Sequence, residues 1–183
     1  GDAHGIAFDP VETVTIGPTV GEVAERHGGI DILVNCIGTH TEAPAVDYTE
    51  SDWDRIFDVN LKTAFFLSQA VARVQIPKRA GKHIHLSSVR GLIGIRRGYV
   101  SYCASKGGLN LMVKQLATEW GAHNITVNAV APTFTRTDLV KHYLEDPSFY
   151  EPLVARIPLG RICEPEEVAR AAKLRVAAHC RSA

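Results

Sequence analysis

The sequence carries no excess of charge: Lys plus Arg number 20 and Asp plus Glu number 20, a formal net charge of zero. That excludes the basic footprint of a nucleic-acid binder or of a protein held on an anionic membrane. No apolar run approaches the ~18 residues of a membrane-spanning helix. The first ten residues, GDAHGIAFDP, have neither a basic nor an apolar block, so no signal peptide is read there. They also lack an initiator Met, and a start further upstream is expected. Cysteine is sparse: Cys36, Cys103, Cys163 and Cys180 include no CxxC pair. They read as reduced thiols of a cytoplasmic protein, not as a disulfide frame. There is no internal repeat, linker or low-complexity tract.

What is present suits one core. The 183 residues, 45% of them hydrophobic, are enough for a single domain. GIAFD (5–9) reads as a short strand. A helix is expected from Pro18 to His27, with Pro at its first position and Gly28-Gly29 ending it. DILVNCIG (31–38) is a near-continuous apolar run, the mark of a buried parallel strand. A long helix follows, capped by Thr49 or Ser51, with Trp53, Ile56, Phe57 and Leu61 on one face. KHIHLSS (82–88) and NITVNAVAP (124–132) are further strands, with a helix over 99–120 between them. A last helix begins near EPEEVARAAKL, followed by a basic tail. Hydrophobic strands alternating with amphipathic helices predict a doubly wound parallel α/β sheet.

Open α/β sheets bind ligands outside the carboxyl ends of their strands. Three such ends are polar here: Asn35-Cys36-Ile37-Gly38, Ser87-Ser88, and Asn128 to Pro132. After the second comes SYCASKGGLNL (101–111), with Tyr102 and Lys106 four residues apart, on one helical face.

In this order and spacing, VNCIG (34–38), DVN (58–60), LSSVRG (86–91), YCASK (102–106) and VNAVAPTFTRT (127–137) closely resemble the short-chain dehydrogenase/reductase family, over residues 1–170. YxxxK alone is a weak signal. A serine 14 residues before the tyrosine, an asparagine in the preceding helix and the strand-end NxxG make a strong set. The resemblance implies a Rossmann-like domain over 1–183, truncated at the N-terminus and atypical at the C-terminus. It implies an oxidoreductase interconverting a secondary alcohol and a ketone with NAD or NADP. A neighbouring positive charge favours phenolate over phenol, lowering a reference tyrosine pKa of about 10. Tyr102 is then implied as the acid/base, tuned by Lys106, which would also hold ribose hydroxyls. Ser88 would bond the substrate oxygen, and Asn60 would anchor a water behind Lys106. Cofactor contacts are implied for Asp9, at the adenine, for Asn35 and Gly38, and for Pro132, Thr133, Thr135 and Thr137 near the nicotinamide. APTFTRT and GRICEPEEVA are similar to members acting on sugar acids and polyols, with 3-oxoacyl reductases next. Family members commonly pair through the helices over 50–75 and 99–120, so a homodimer or homotetramer is implied.

The resemblance also marks what these residues do not contain. Residues 1–9 correspond to a third strand, and the glycine-rich phosphate turn of the family is not found. The strand at 31–36 is therefore expected to expose an unpaired edge. The alternative function is a non-catalytic remnant using its long helices as an association surface.

Other residues have plainer readings. Tyr99 is expected to pack. His83 and His85 share one strand face and are read as packing groups rather than metal ligands. Ser87 is structural, and Arg96-Arg97 is a solvated loop or a grip for an anionic substrate.

Overall fold

The computed structural model describes residues 2–177. Three strands form one all-parallel sheet in the order β1 (Ile32–Asn35), β2 (Gly81–Leu86), β3 (Ile125–Val130). Ile32 pairs with Lys82 and Asn35 with His85. Gly81 pairs with Ile125 and Leu86 with Val130. Helix α1 (Thr13–His27) precedes β1. Helices α2 (Glu50–Phe57) and α3 (Thr63–Gln75) carry the first crossover, and α4 (Val100–Trp120) the second. After β3 come α5 (Lys141–Leu144), α6 (Pro147–Val154) and α7 (Pro165–Ala177).

Side chains alternate across a strand, and β2 shows which helix covers which face. His83 and His85 meet Gln75 and Ser68 of α3, whereas Lys82, one residue before His83 and so on the opposite face, reaches the Val176 carbonyl of α7. Helices thus cover both faces, as a doubly wound sheet requires. The larger core cluster joins Ala64 of α3, Leu109, Val113 and Leu116 of α4, and Ile125 and Val127 of β3. A second joins Ile16 and Val20 of α1 to Ala70 and Val71 of α3.

Four expectations change. No strand forms at 5–9, because no ladder partner stands beside it. Ile6 and Phe8 are exposed, and the Asp9 carboxylate accepts the Val11 N–H at the approach to α1. Helix α1 opens at Thr13, so Pro18 lies inside it. The carbonyl that Pro18 leaves without a donor belongs to Val14, whose side chain is 81% exposed, so water can serve it. Strand β1 is not buried on both faces: Ile32 and Val34 are 44% and 51% exposed, whereas Asn35, its last residue, is buried. The long second helix is interrupted by one π turn, Asp58–Lys62, which carries Asn60. Its start is as read: Thr49 accepts the Asp52 N–H. Gly28, at φ 73°, ends α1 as expected. The basic tail, residues 178–183, lies outside the described residues.

Candidate active site

Strand β2 ends at Leu86 and hands over to Ser87 and Ser88. Ser88 caps a short 3₁₀ turn, Val89–Gly91, by accepting the Arg90 N–H at 3.1 Å. This turn packs tightly on α4. A Cβ placed on Gly91 would lie 2.6 Å from the Lys106 backbone and from Asn110 Nδ2. Ser87 Oγ donates to Asn110 Oδ1 at 2.6 Å, and Asn110 Nδ2 donates to the Gly91 carbonyl at 3.2 Å. Asn110 escaped the sequence reading. Its signal was the four-residue spacing Tyr102, Lys106, Asn110 on one helical face.

Tyr102 stands in the first turn of α4, beside Ser88 at the wall of the same cleft. Lys106, one turn on, is 4% exposed; its Nζ donates to the Leu86 carbonyl at 2.8 Å and lies 5.9 Å from the Tyr102 ring centroid. The electrostatics differ from the expected tuning. Burial pushes the Tyr102 phenol above its ordinary value, while the Ser88 hydroxyl and, more weakly, the Arg90 charge pull it down. Lys106 is not among the groups that set it. The reason is its own burial, which lowers its pKa to about 8, so that the lysine has already lost its charge where the raised phenol titrates.

Asn60 is 1% exposed. Its Nδ2 donates to the Thr39 carbonyl at 2.9 Å and to Ser105 Oγ at 3.0 Å, and its Oδ1 accepts the Thr39 N–H at 2.8 Å. One acceptor lone pair on Oδ1 is left over. Gly38 closes the group: a Cβ there would lie 3.3 Å from Lys106 Nζ and 3.6 Å from Asn60 Oδ1.

A cleft of ≈ 200 Å³ opens beside this group. Ser88 and Tyr102 line it together with Thr133, Thr135 and Thr137, the segment read as cofactor-facing. The Pro132 carbonyl ties that segment to the Ser88 turn by accepting the Val89 N–H at 3.1 Å. His40 also lines the cleft, edge-on to Tyr99 and Tyr102 with ring centroids at 5.6 and 6.2 Å. Sequence reading gave no sign of His40, because nothing local marks it.

Other candidates lie elsewhere. Asp9 borders an open surface hollow with Asp54, Arg55 and Asp58, not the cleft. Asn35 is buried behind the strand end, with Oδ1 accepting the Ile37 N–H and Nδ2 3.3 Å from His85 Nδ1. Tyr99 is 7% exposed and packs, as read. Arg97 is neither a solvated loop residue nor an anion grip. It pairs with Glu42 at 2.7 Å, and its guanidinium lies 4.9 Å from the ring centroids of both Tyr143 and Phe149. His83 and His85 are fully buried. His83 Nε2 meets Gln75 Oε1 at 2.9 Å, and His85 Nε2 meets Ser68 Oγ at 3.1 Å.

The family described as enoyl-(acyl carrier protein) reductase matches residues 3–174. Gluconate 5-dehydrogenase of Gluconobacter oxydans is 34% identical over 93% of this chain and 66% of its own length. The 3-oxoacyl-(acyl-carrier-protein) reductase of Thermotoga maritima is 41% identical over 85% of this chain and 62% of its own. Among solved structures, a gluconate 5-dehydrogenase from Burkholderia cenocepacia, in complex with NADP and tartrate, superimposes with a TM-score of 0.88 at 33% identity. That match covers 92% of this chain and 66% of the other. The chain spans 53% to 66% of the length of the curated relatives it matches.

Proposed function

The chain belongs to the short-chain dehydrogenase/reductase family, and on that premise we propose that it serves the interconversion of a secondary alcohol and a ketone with NAD or NADP. The observation that carries this reading is the pairing of Ser88 and Tyr102 at the wall of one small cleft, with buried Lys106 one helical turn behind.

Tyr102 gives or takes the proton of the substrate oxygen. Ser88 lines the cleft beside that phenol, so an oxygen bound between the two hydroxyls accepts from both. Lys106 holds ribose hydroxyls, and the bare backbone of Gly38 leaves its ammonium approachable from the strand end. Asn60 offers its last acceptor lone pair to a water behind Lys106, which keeps a proton path open to solvent. The segment Pro132, Thr133, Thr135 and Thr137 faces the carboxamide of the cofactor. When bound, the nicotinamide supplies or accepts the hydride. Asn35 and Gly38 brace the sheet beside it; for Asp9 an adenine contact rests on the family pattern alone.

A cleft of ≈ 200 Å³ is below the roughly 300–1,000 Å³ of drug-sized sites, which suits a small substrate: a sugar acid, a polyol or a short 3-oxoacyl group. A second copy of the chain is proposed to pair through α2, α3 and α4, where Trp53 and Leu111 are exposed apolar side chains.

The test is twofold. Titration with NADH and NADPH, followed by nucleotide fluorescence, reads cofactor binding. Turnover of gluconate, sorbitol and 3-oxobutyryl thioester is then compared with that of Tyr102→Phe, which keeps the ring but cannot exchange a proton. A loss of roughly 10²–10⁴-fold in turnover, with nucleotide affinity retained, is expected. Turnover surviving in Tyr102→Phe would sink the reading.

A further inference from the structure

Arg90 stands two residues after Ser88 and lines the same cleft. Among the described lining residues it is the one Lys or Arg, and none is Asp or Glu. Among the described residues its side chain makes one hydrogen bond, a long one, Nη1 to the Gly94 carbonyl at 3.4 Å. Among the described residues no carboxylate comes within ion-pair distance of it. The nearby Arg97 shows what a structurally committed arginine looks like, with Glu42 at 2.7 Å and two aromatic rings around it. Arg90 is also held in place: its N–H is tied to Ser88 Oγ, and Gly91 beyond it is wedged on α4. Its charge reaches the reacting group, since it pulls down both the Tyr102 phenol and the Cys103 thiol.

A guanidinium offers five donors in a planar fork that matches a carboxylate. We propose that Arg90 binds the carboxylate of the substrate, so that the cleft takes a small hydroxy or oxo carboxylic acid in preference to a neutral polyol or a carrier-bound acyl chain. The inference rests on the oxidoreductase reading for the site, and it narrows the substrate to one charge class. The carboxylate would sit at the Arg90 end of the cleft and the reacting oxygen between Ser88 and Tyr102. The threonine hydroxyls at 133, 135 and 137 line the remaining wall for a hydroxylated carbon chain.

Binding of D-gluconate and of the neutral D-sorbitol is measured on the whole chain by saturation-transfer NMR and calorimetry, with and without NADH. Gluconate is expected to bind more tightly, with a preference that shrinks as salt is added. Arg90→Gln weakens gluconate by ~10- to 100-fold and leaves sorbitol unchanged; Arg90→Lys keeps the charge but not the fork and falls between. Circular dichroism of each variant checks the fold. Equal binding of the two sugars, no binding of either, or a gluconate preference retained by Arg90→Gln overturns the proposal. Because binding is scored apart from turnover, a gluconate preference that depends on Arg90, without Tyr102-dependent chemistry, would overturn the oxidoreductase reading alone.

Discussion

The Lys106 ammonium donates to the Leu86 carbonyl at 2.8 Å, at the residue where β2 gives way to the Ser87-Ser88 turn. The lysine thus ties the strand that presents Ser88 to the helix that presents Tyr102. It does so as a buried cation, and burial of charge has a cost that can be measured.

Burial lowers Lys106 to about 8 from an ordinary 10.5. Above pH 8 the folded chain has released a proton that the unfolded chain still holds, so this residue makes stability climb with pH. Between pH 8 and 10 the climb is ~1.4 kcal/mol per unit. Urea unfolding across that range should show the slope in the native chain and its loss in Lys106→Met. The same substitution is expected to cost ~10²–10⁴-fold in turnover. Identical slopes in the two chains would contradict the buried-cation account.

Alcohol oxidation needs Tyr102 in a form that accepts a proton, and burial holds the phenol above its ordinary value. The rate of oxidation should therefore rise with pH. Ser88 pulls the phenol down, so Ser88→Ala should move the alkaline limb of the pH–rate profile upward as well as slow the reaction. A limb that stays in place would mean that Ser88 binds substrate without tuning the tyrosine.

A methyl group at Gly91 would meet the Lys106 backbone at 2.6 Å. Gly91→Ala should push the Ser88 turn off α4 and destabilise the chain by ~1–3 kcal/mol, the usual range for overpacking. Turnover should fall with it, while Gly94→Ala, where a Cβ meets nothing within 4 Å, serves as the neutral control in thermal unfolding.

Acid should be more damaging than the balanced charge suggests. Burial lowers His83 to about 3 and His85 to about 4, with the His85 charge adding to the first and the Lys106 charge to the second. Both stay neutral in the folded chain, whereas the unfolded chain takes up protons below pH 6.5. The stability they contribute is full above pH 6.5 and is lost as pH falls toward 4, at ~3 kcal/mol per unit for the pair. His85→Asn should roughly halve that slope in urea titrations at pH 7, 6, 5 and 4. An unchanged slope would rule out His85 as a source.

Much of the site was legible because its parts are local. The Ser87-Ser88 strand end, the Thr49 cap and the Tyr102/Lys106 spacing each sit within a few residues of the feature that defines them. The misses depend on distant partners. Arg97 meets Glu42 across 55 positions, and the burial that raises Tyr102 comes from several segments at once. A strand at 5–9 needs a neighbour that its own residues cannot supply. The π turn at Asn60 adds one residue to a helical ladder, which an average spacing of apolar residues does not reveal.

The pairing of Ile32 with Lys82 and of Gly81 with Ile125 has a consequence for how the chain assembles. Neither ladder can start from a tight turn, since each partner arrives only after a whole crossover helix. Loop-closure entropy must be met before either pairing returns any stabilisation. Assembly should accordingly run helix first and strand second, with α3 and α4 delivering β2 and β3 to their places. Trp120, whose ring lies 5.3 Å from that of His83, sits where α4 meets the sheet and would report that late step by its fluorescence in stopped-flow refolding. A tryptophan signal complete before the helical one would reverse the order.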